Sequence, residues 1–476
     1  MAKKRPTFLY RTLADKIARL IDGGVLRPGE RLPSLRQISR REDVSVTTAL
    51  QAYGILESRG RIQAIPQSGY YVRGLDAPLP PEPATSAPDG KMTKVGIGDL
   101  ATSVLRNSLD PKIIPLGTAS PGPRLLPSRT LDRILTAEIR RSAQSQNYSY
   151  PPGEYGLRRQ VVRRSMDWGS RLNLDEIVIT CGATQAIDLC VRAVAGPGDL
   201  VAVESPCYFG TLLLLESLRL SVVEIPAHPH NGISLDALDN ALKSHPIRAC
   251  IASPCFSNPL GSCMNDAAKQ DLVAMLARRS IPLIEDDTFG DLCYAEVRPK
   301  PAKAFDDDGL VMLCSSFSKI LAPGYHIGWV APGRFLEPIA RLQMASTLGV
   351  PKIFQKAIAE FLENGAYDRH LRKMRVAVST QSAQMIEAIG RYFPSGTKVT
   401  RPAGGLVLWV ELPENADAVQ LSDKALAEGI CISPGPIFSA GLHYRNYIRL
   451  NCGHPWSPAM EQAVQRLGQL VWSGGV

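Results

Sequence analysis

In the middle of the chain, short apolar runs alternate with amphipathic stretches, and this pattern limits the folds that the chain can adopt. Apolar runs occur at residues 200–203, 249–252 and 282–284, and they are interleaved with stretches of helical periodicity such as residues 185–195 and 267–279. Short strands alternating with helices are typical of an α/β domain with a mainly parallel sheet. Because such sheets bind ligands at the carboxyl ends of their strands, the polar residues after each run are candidate site residues.

A lysine in a serine-rich bend is the main candidate for chemistry. Residues 311–314 and 327–331 are apolar, and Ser316, Ser318 and Lys319 lie between them. A lysine in apolar surroundings shifts its pKa readily and becomes a nucleophile towards carbonyls. The pattern indicates a seat for pyridoxal 5'-phosphate (PLP), with Lys319 as its Schiff-base partner. The alternative is a surface lysine that follows a strand.

Three further motifs follow apolar runs. Residues 182–184 (Gly-Ala-Thr) open a helix, where free N–H groups and the helix dipole favour a phosphate. Tyr208 can stack on a flat ring, and Asn258 can donate to a phenolate oxygen. The alternatives are an ordinary strand–helix turn, a packed tyrosine and an Asn-Pro turn.

Two charged motifs complete the set. Glu285, Asp286 and Asp287 end one run, and a carboxylate there can keep a pyridine nitrogen protonated. Strand alternation allows only one of the three acids this position, and it does not choose among them. Arg449 lies in a strand-like run, where it can hold a carboxylate with two hydrogen bonds or remain a partly exposed strand residue.

The excess positive charge is concentrated at the N-terminus. The first 75 residues contain 14 Lys/Arg and 6 Asp/Glu, a net charge of +8, whereas the whole chain carries +9. Such a distribution is typical of a nucleic-acid binder joined to a nearly neutral body. The alternative, a solvated basic extension, is disfavoured by apolar periodicity within this unit.

The same unit has the pattern of a winged helix-turn-helix. Residues 9–22 form an amphipathic helix, Ser34 caps a second helix, and Ser45 caps a third, whose predicted inner face is Ala49, Ala52, Tyr53 and Leu56. Residues 61–65 and 70–72 are predicted as the two strands of the wing. In such a domain the third helix enters the major groove of DNA.

The predicted organisation is a DNA-binding head at residues 1–75, a Pro/Ala-rich linker at 76–91 and a body at 92–476. Extended, polyproline-like character is expected for the linker. No run of 18 apolar residues occurs, which predicts no membrane span, and the basic N-terminus lacks the apolar core of a secretory signal. Ten cysteines without CxxC or zinc-ligand spacing predict reduced thiols in a cytoplasmic protein, with no metal site.

The head resembles the DNA-binding domain of GntR-type regulators. The resemblance rests on LRPGERLPSLRQISRREDVSVTTALQAYGILESRG followed by QSGYYV. It implies contacts to phosphates or bases for these residues: Arg36, Ser45, Thr47, Thr48, and Ser68 and Gly69 at the wing tip. Members of this family often have arginine where this chain has Val46, which can make only apolar contact, for example with a thymine methyl group.

The ordered set of strand-end motifs resembles fold-type I PLP-dependent aminotransferases over residues 112–476. The resemblance implies that Lys319 forms the Schiff base, Asp286 pairs with the pyridine nitrogen, and Asn258 binds the phenolic oxygen. Tyr208 would stack on the ring. The implied phosphate ligands are Gly182, Ala183, Thr184, Ser316, Ser318 and, from the other subunit, Tyr148. Arg449 matches the arginine that binds the α-carboxylate of the substrate.

Two positions depart from the aminotransferase pattern. His326 stands where the family usually has an arginine bound to the phosphate, so a fixed forked cation is replaced by an imidazole. Thr288 and Phe289 stand where a tyrosine usually follows the acidic pair, so the phenol that would bind the cofactor is missing.

The combination of head, linker and body resembles the MocR subgroup of bacterial regulators. The implied fold is a winged helix-turn-helix (α+β) followed by an α/β PLP-dependent transferase domain of fold type I, with a smaller α+β domain. The implied partners are a double-stranded DNA operator, an amine or amino-acid effector (or PLP itself) bound near Arg449 and Asn258, and a second subunit in a domain-swapped or side-by-side homodimer. A working aminotransferase with a DNA-binding head and a regulator that no longer holds PLP are the alternatives.

Overall fold

The computed structural model describes residues 9–23, 25–58, 60–65, 68–73, 79–107, 110–141, 147–169 and 172–473. Elements are numbered in chain order. The head contains helices α1 (Leu9–Asp22), α2 (Leu35–Arg41) and α3 (Val46–Ser58) and strands β1 (Ile62–Ile65) and β2 (Gly69–Val72). The two strands pair antiparallel, Ile62 opposite Val72 and Ile65 opposite Gly69. The predicted winged helix-turn-helix is confirmed.

The head has its own apolar core, built from one face of each helix. The four residues predicted for the inner face of α3, which are Ala49, Ala52, Tyr53 and Leu56, are all fully buried. Leu13 and Ile17 of α1 pack against them. At the start of α2, Ser34 accepts a hydrogen bond from the Gln37 N–H and the Gln37 side chain accepts one from Ser34, which satisfies two free donors of the helix end.

The body is organised around a large sheet. Its strands are β3 (Met92–Lys94), β5 (Val178–Cys181), β6 (Leu200–Ser205), β7 (Ser221–His228), β8 (Gly232–Ile233), β9 (Ile247–Ala252), β10 (Leu283–Asp286), β11 (Val311–Ser316) and β12 (Ile327–Ala331). Among the described residues their order is β3-β7-β6-β9-β10-β11-β12-β5, with β8 paired to β7.

Strand direction explains where the polar motifs meet. Strands β7, β6, β9, β10 and β11 run parallel, β12 runs antiparallel to both β11 and β5, and β5 therefore points the same way as β11. The carboxyl ends of β5, β6, β9, β10 and β11 consequently lie at one edge. The first residue of β12 starts from that same edge.

Helices cover both faces of this sheet. The helices from the linker to β10 are α4 (Gly98–Asn107), α5 (Ser128–Arg141), α6 (Tyr155–Ser165), α7 (Gly182–Val194), α8 (Phe209–Ser217), α9 (Leu235–Ser244) and α10 (Asp266–Ala277). Val201 and Val203 of β6 join a core with α7 and α8, whereas Leu200 and Ala202 join one with α9 and α10. Burial on both faces explains why these strands are uninterrupted apolar runs.

A smaller domain packs beside the large sheet. Its antiparallel sheet has the order β13 (Lys398–Val399), β14 (Val407–Glu411), β17 (Tyr447–Asn451), β16 (Ser433–Pro434), and a parallel pair joins β15 (Ile430–Cys431) to β4 (Ile114–Pro115). The remaining helices are α11 (Leu336–Thr347), α12 (Lys352–Glu363), α13 (Ala366–Tyr392), α14 (Ala418–Ala427) and α15 (Pro458–Ser473). In the described part of the chain, no helix is long and apolar enough to cross a membrane.

The described part of the predicted linker, residues 79–91, has neither helix nor strand and lies on the body. The carbonyl oxygens of Pro80 and Pro81 accept hydrogen bonds from Arg401 Nη2 and Val399 N, both 2.8 Å long. The Ala227 N–H donates to Ser86 Oγ at 2.8 Å. These contacts fix this segment to both domains of the body, while the predicted domain boundaries stay predictions.

Candidate cofactor and effector site

The polar motifs of the strand ends line one cavity of about 290 Å³. Ten residues predicted from the sequence are in its lining: Ala183, Thr184, Tyr208, Asn258, Asp286, Ser316, Ser318, Lys319, His326 and Arg449. They come from α7, from the last residues of β10 and β11, from the loops after β6, β9 and β11, and from β17 of the smaller domain. The cavity therefore lies where the two domains of the body meet.

Lys319 has the reactivity of a buried amine. The pKa of Lys319 is lowered to about 8, first by burial and then by the positive charge of Arg449, while the Asp286 carboxylate acts in the opposite direction. At pH 7 roughly one amine in ten is then neutral, compared with roughly one in three thousand for an ordinary lysine. The site thus holds a nucleophilic amine near neutral pH.

The three consecutive acids at the end of β10 have separate environments. Asp286 faces the cavity, and its Oδ1 accepts hydrogen bonds from the Thr288 hydroxyl and N–H at 2.5 and 3.0 Å. Burial raises the pKa of Asp286, and the bonds from Thr288 and the charge of Lys319 oppose this effect. Glu285 instead accepts from the Ala302 and Lys303 N–H groups. Asp287 pairs with Arg298.

Arg449 is a buried guanidinium with an unused donor. Its Nη1 donates to Asn258 Oδ1 at 3.0 Å, and its Nη2 donates to the Gly117 carbonyl at 2.5 Å and to Ser433 Oγ at 3.3 Å. Its Nε has no partner among the described residues. Burial lowers the pKa of Arg449 to about 10. A buried cation in a cavity wall is suited to an anionic ligand such as a carboxylate.

One end of the cavity is built from hydroxyls and a helix N-terminus. Ser316 Oγ donates to Ser318 Oγ at 3.0 Å, and Ala183 and Thr184 lie in the first turn of α7. Gly182 does not line the cavity, but it has φ +70°, and a Cβ there would lie 2.7 Å from the His326 ring. Glycine is therefore needed for the imidazole of His326 to approach the start of α7.

Several lining residues were missed by the sequence analysis. Thr118, Ser120 and Ser253 add hydroxyls, and Phe256 adds aromatic surface. Ser253 directly follows β9, so a closer reading of that strand end could have found it. Thr118 and Ser120 come from the segment after β4, where no apolar run marks them.

Tyr148 lies outside this cavity. Its side chain is 72% exposed and stacks on Tyr150 with ring centroids 5.8 Å apart. An exposed aromatic pair is available to a second subunit, so the predicted contact with a phosphate across a dimer stays a prediction.

The predicted DNA-contacting residues are grouped at the helix-turn-helix and the wing. Arg36, Ser45 and Thr47 are exposed, whereas Thr48 is half-buried. The Ser45 and Thr48 hydroxyls lie 2.8 Å apart, and Ser45 Oγ accepts from the Thr48 N–H at the start of α3. In the wing, Ser68 Oγ is 2.7 Å from the Tyr71 hydroxyl. At Gly69, a Cβ would lie 3.4 Å from the Arg31 guanidinium, a basic group that the sequence analysis did not single out.

Comparison with known families identifies both parts. The model for aminotransferase class I and II matches residues 118–467, and the model for bacterial regulatory proteins of the gntR family matches residues 9–72. The chain belongs to the aminotransferase class I and II family. Its gntR-family domain precedes the aminotransferase body, which is the predicted MocR-type architecture.

Individual relatives match the whole chain or the body. The HTH-type transcriptional regulator YdcR of Escherichia coli is 40% identical over 97% of this chain and 98% of its own length. LysN, an α-aminoadipate aminotransferase of Thermus thermophilus solved with N-(5'-phosphopyridoxyl)-L-leucine, is 27% identical with a TM-score of 0.73, covering 79% of this chain and 96% of its own. Kynurenine aminotransferase of Pyrococcus horikoshii has the same TM-score and identity, with coverages of 79% and 94%.

The cavity of this aminotransferase-like body fits PLP, the cofactor of the family. A reactive amine, a buried carboxylate, an amide and a helix N-terminus surround a space of about 290 Å³, and Arg449 keeps a free buried donor. When bound, PLP supplies an electron sink for chemistry at an amine carbon. Asp286, oriented by Thr288, can hold a proton on the ring nitrogen, and Asn258 can donate from its Nδ2 to the phenolic oxygen because its Oδ1 is engaged by Arg449.

We expect Lys319 of the PLP-free full-length protein to become reactive towards an acylating reagent with a midpoint near pH 8, because only the neutral amine is nucleophilic. Asp286→Asn removes a negative neighbour and should lower this midpoint, whereas Arg449→Met removes a positive neighbour and should raise it. Mass spectrometry of the peptide that contains Lys319 measures the rate at each pH. The same midpoint in all three proteins would contradict this electrostatic account.

Proposed function

We propose that this chain is a transcriptional regulator whose head binds a DNA operator and whose body holds PLP at Lys319 and senses an amine, an amino acid or PLP itself. One observation carries the proposal. A cavity with the chemistry of an aminotransferase lies on the same chain as a gntR-family head, and charged contacts connect that head to the body.

Charged side chains of the head contact acidic residues of the body. Glu296 Oε2 accepts hydrogen bonds from the Tyr10 hydroxyl at 3.0 Å and from Arg11 Nη2 at 2.8 Å. Arg73, which follows the wing, pairs with Glu387 of α13 at 2.6 Å. The Arg73 and Glu387 side chains are 24% and 9% exposed, so solvent screens this pair less than the exposed contact of Glu296.

A run of contacts leads from the cavity to Glu296. Asp287, next to Asp286, pairs with Arg298, whose Nε lies 2.7 Å from Asp291 Oδ1. The side chain of Arg375 donates to the carbonyls of Asp291 and Glu296 at 2.7 and 3.1 Å. A ligand that favours one arrangement of this network can shift the position of the head, provided that it binds the two arrangements with different affinity.

The chemistry of the cavity defines the effector class. Arg449 lines the cavity as a buried cation that an anion can neutralise, and a primary amine is the group that exchanges with a lysine bound to PLP. A molecule with both an amine and a carboxylate, that is an amino acid, satisfies both ends. An amine without a carboxylate, or PLP alone, would use only part of the site. The same groups support transamination, so a working aminotransferase is the rival outcome.

A homodimer in the cytoplasm is the assembly that we propose for this regulator. The exposed Tyr148 is supplied to the phosphate region of a second subunit, and the two heads then read two half-sites of one operator. Arg36, Ser45, Thr47 and Thr48 of the helix-turn-helix, and Ser68 and Gly69 of the wing, contact that DNA. Val46, which is 48% exposed, meets the DNA with an apolar surface.

The PLP adduct and its effect on DNA binding test the proposal directly. Wild type incubated with PLP should form a borohydride-reducible adduct and should change its operator affinity when an amino acid is added. Lys319→Ala should lose both effects, whereas Lys94→Ala, an exposed lysine of β3, should keep them. Full response to the amino acid by the Lys319→Ala protein would refute sensing through this residue, and rapid keto-acid-dependent turnover without any DNA response would favour the enzyme.

Arg36→Ala should weaken operator binding by about 1–3 kcal/mol if the guanidinium meets a base edge, and the loss should depend on the base at that position. Arg248→Ala, which removes one exposed charge from the body, is the matched control and should leave the affinity within about twofold. Gel-shift titrations at fixed salt compare the variants, because affinity for DNA depends strongly on salt. Equal losses in the two variants would indicate a general charge effect.

Glu296→Gln should reduce the effect of the ligand on operator affinity while leaving PLP binding unchanged. The Glu296–Arg11 pair is exposed, so the expected change is about 1 kcal/mol or less, that is up to about fivefold. Glu337→Gln, an exposed acid of α11, is the control. Operator affinities with and without PLP and amino acid give a thermodynamic cycle, and an unchanged cycle in Glu296→Gln would exclude this route.

A further inference from the structure

Two cysteines face each other at the ends of the loop that carries Asn258 of the candidate site. Cys255 and Cys263 are opposite residues of an isolated antiparallel bridge. Hydrogen bonds from Met264 N to Pro254 O at 2.9 Å and from Ser257 N to Ser262 O at 3.1 Å flank this bridge. Opposite residues in an antiparallel pair have Cα atoms about 4.5–5.5 Å apart. A disulfide spans this separation without large backbone movement.

A lysine ammonium is buried beside these thiols. Lys269 of α10 is fully buried, and its Nζ lies 3.1 Å from Cys255 Sγ and 2.7 Å from the Lys300 carbonyl oxygen. Burial alone would lower the pKa of Lys269, but its interactions with Cys255 and Cys263 outweigh burial and raise it. The lysine therefore remains a cation next to sulfur.

Cys263 is the more reactive thiol of this pair. It is only partly buried, whereas Cys255 is 1% exposed. Interaction with Cys255 lowers the pKa of Cys263, as do Lys269 and the Phe256 N–H, against the opposing effects of burial and Asp266. Cys263 is thus the accessible thiol of a pair whose buried member contacts the Lys269 ammonium, and accessible thiolates near a cation react with oxidants.

We propose that Cys255 and Cys263 are a redox modification site, at which a hydroperoxide such as hydrogen peroxide converts the two thiols into a reversible disulfide. Cys263 is the attacking residue and Cys255 is the resolving residue. Lys269 is a positioning residue that holds negative charge on sulfur.

The reaction balances in two steps. The Cys263 thiolate attacks one peroxide oxygen, so that an S–O bond forms, the O–O bond breaks, sulfur loses two electrons and hydroxide leaves. Cys255 then attacks the resulting sulfenic sulfur, so that an S–S bond forms, the S–O bond breaks and a second hydroxide leaves. The protons released by the two thiols convert the hydroxides to water. A dithiol reverses the change by thiol–disulfide exchange.

The disulfide would close a loop that contributes residues to the lining of the cavity. Residues 256–262 lie between the two cysteines and include Phe256 and Asn258, both of which line the cavity. Asn258 also holds Arg449 Nη1. Because a disulfide would fix both ends of this loop, which carries Asn258, oxidation should change the affinity for PLP.

The chain contains matched controls for a reaction of this kind. Cys181 is also partly buried, but burial raises its pKa. Cys250 is fully buried and burial raises its pKa to about 12. Cys190 and Cys314 have their sulfurs 3.6 Å apart in the core, yet both are fully buried and the pKa of Cys314 is raised well above its usual value. Proximity alone would favour this last pair, whereas access and charge favour Cys255 and Cys263.

The experiment treats reduced, PLP-loaded full-length protein with hydrogen peroxide, alkylates the thiols that remain after unfolding, and analyses tryptic peptides. Cleavage after Arg248 and Lys269 gives one peptide, residues 249–269, that contains Cys250, Cys255 and Cys263. After oxidation we expect this peptide to carry one alkyl group, on Cys250, and to have lost two hydrogen atoms relative to the unmodified peptide. After reduction with a dithiol, all three of its cysteines should be alkylated. Cys181, Cys190 and Cys314 should stay alkylated.

Variants assign the roles. Cys255→Ser should stop at a sulfenic acid on Cys263 that a cyclic diketone traps, and Cys263→Ser should leave Cys255 reduced. Lys269→Met should slow oxidation about tenfold for each unit by which the pKa of Cys263 rises. The cysteine variants test the site even if Lys269→Met does not fold, which circular dichroism will show.

Three results would overturn the proposal. They are oxidation of Cys181 or of the Cys190–Cys314 pair at the rate of Cys263, a disulfide to another partner, and a Lys269–Cys255 crosslink that retains an oxygen atom. Equilibrium binding of PLP to the oxidised and reduced protein tests the consequence for the cavity. The double variant Cys255→Ser/Cys263→Ser is the control, and its affinity for PLP should not change on treatment with peroxide. If the affinity of the wild type is also unchanged, the predicted effect on the cavity is wrong.

Discussion

The direction of the strands in the large sheet is the constraint on which the rest of the structure depends. Since β5, β6, β9, β10 and β11 all end at one edge, residues separated by more than a hundred positions in sequence surround one cavity. This arrangement requires helices on both faces, because a parallel sheet with an exposed face is rare. The smaller domain then closes the cavity with Arg449, whose burial is tolerated because Asn258, Gly117 and Ser433 satisfy part of its fork.

Much of the fold and most of the site could be predicted from the sequence, because strand ends in an α/β domain carry polar motifs. The sequence predicted that one of three neighbouring acids would contact the cofactor, but it could not choose among them. Which side chain of a strand faces the cavity depends on how the strand pairs with its neighbours. The structure turns Asp286 towards the cavity, while Glu285 binds backbone N–H groups and Asp287 meets Arg298. In the sequence, Thr288 indicated only that a tyrosine of the family is missing. Its hydrogen bonds to Asp286 depend on the turn after β10, which the sequence did not predict.

Contacts between distant segments account for what the sequence could not predict. The cysteines at 255 and 263 have no motif spacing, and only the turn through Asn258 and the position of α10 bring them together with Lys269. Tyr148 could be recognised only by resemblance, and its exposed position in one subunit agrees with a role that a single chain cannot fulfil. The hydrogen bonds of residues 79–91 to the body are likewise invisible in a Pro-rich composition.

Attachment of residues 79–91 to the body shortens the tether of the head. A free linker over residues 76–91 could span up to about 55 Å, whereas the chain from Arg73 to Leu79 can span only about 20 Å. That reach is less than the length of one turn of B-DNA, about 34 Å. A head released from Glu296 and Glu387 would therefore keep Arg73 within about 20 Å of Leu79. The body, rather than the linker, would then determine which face of the double helix each head can reach.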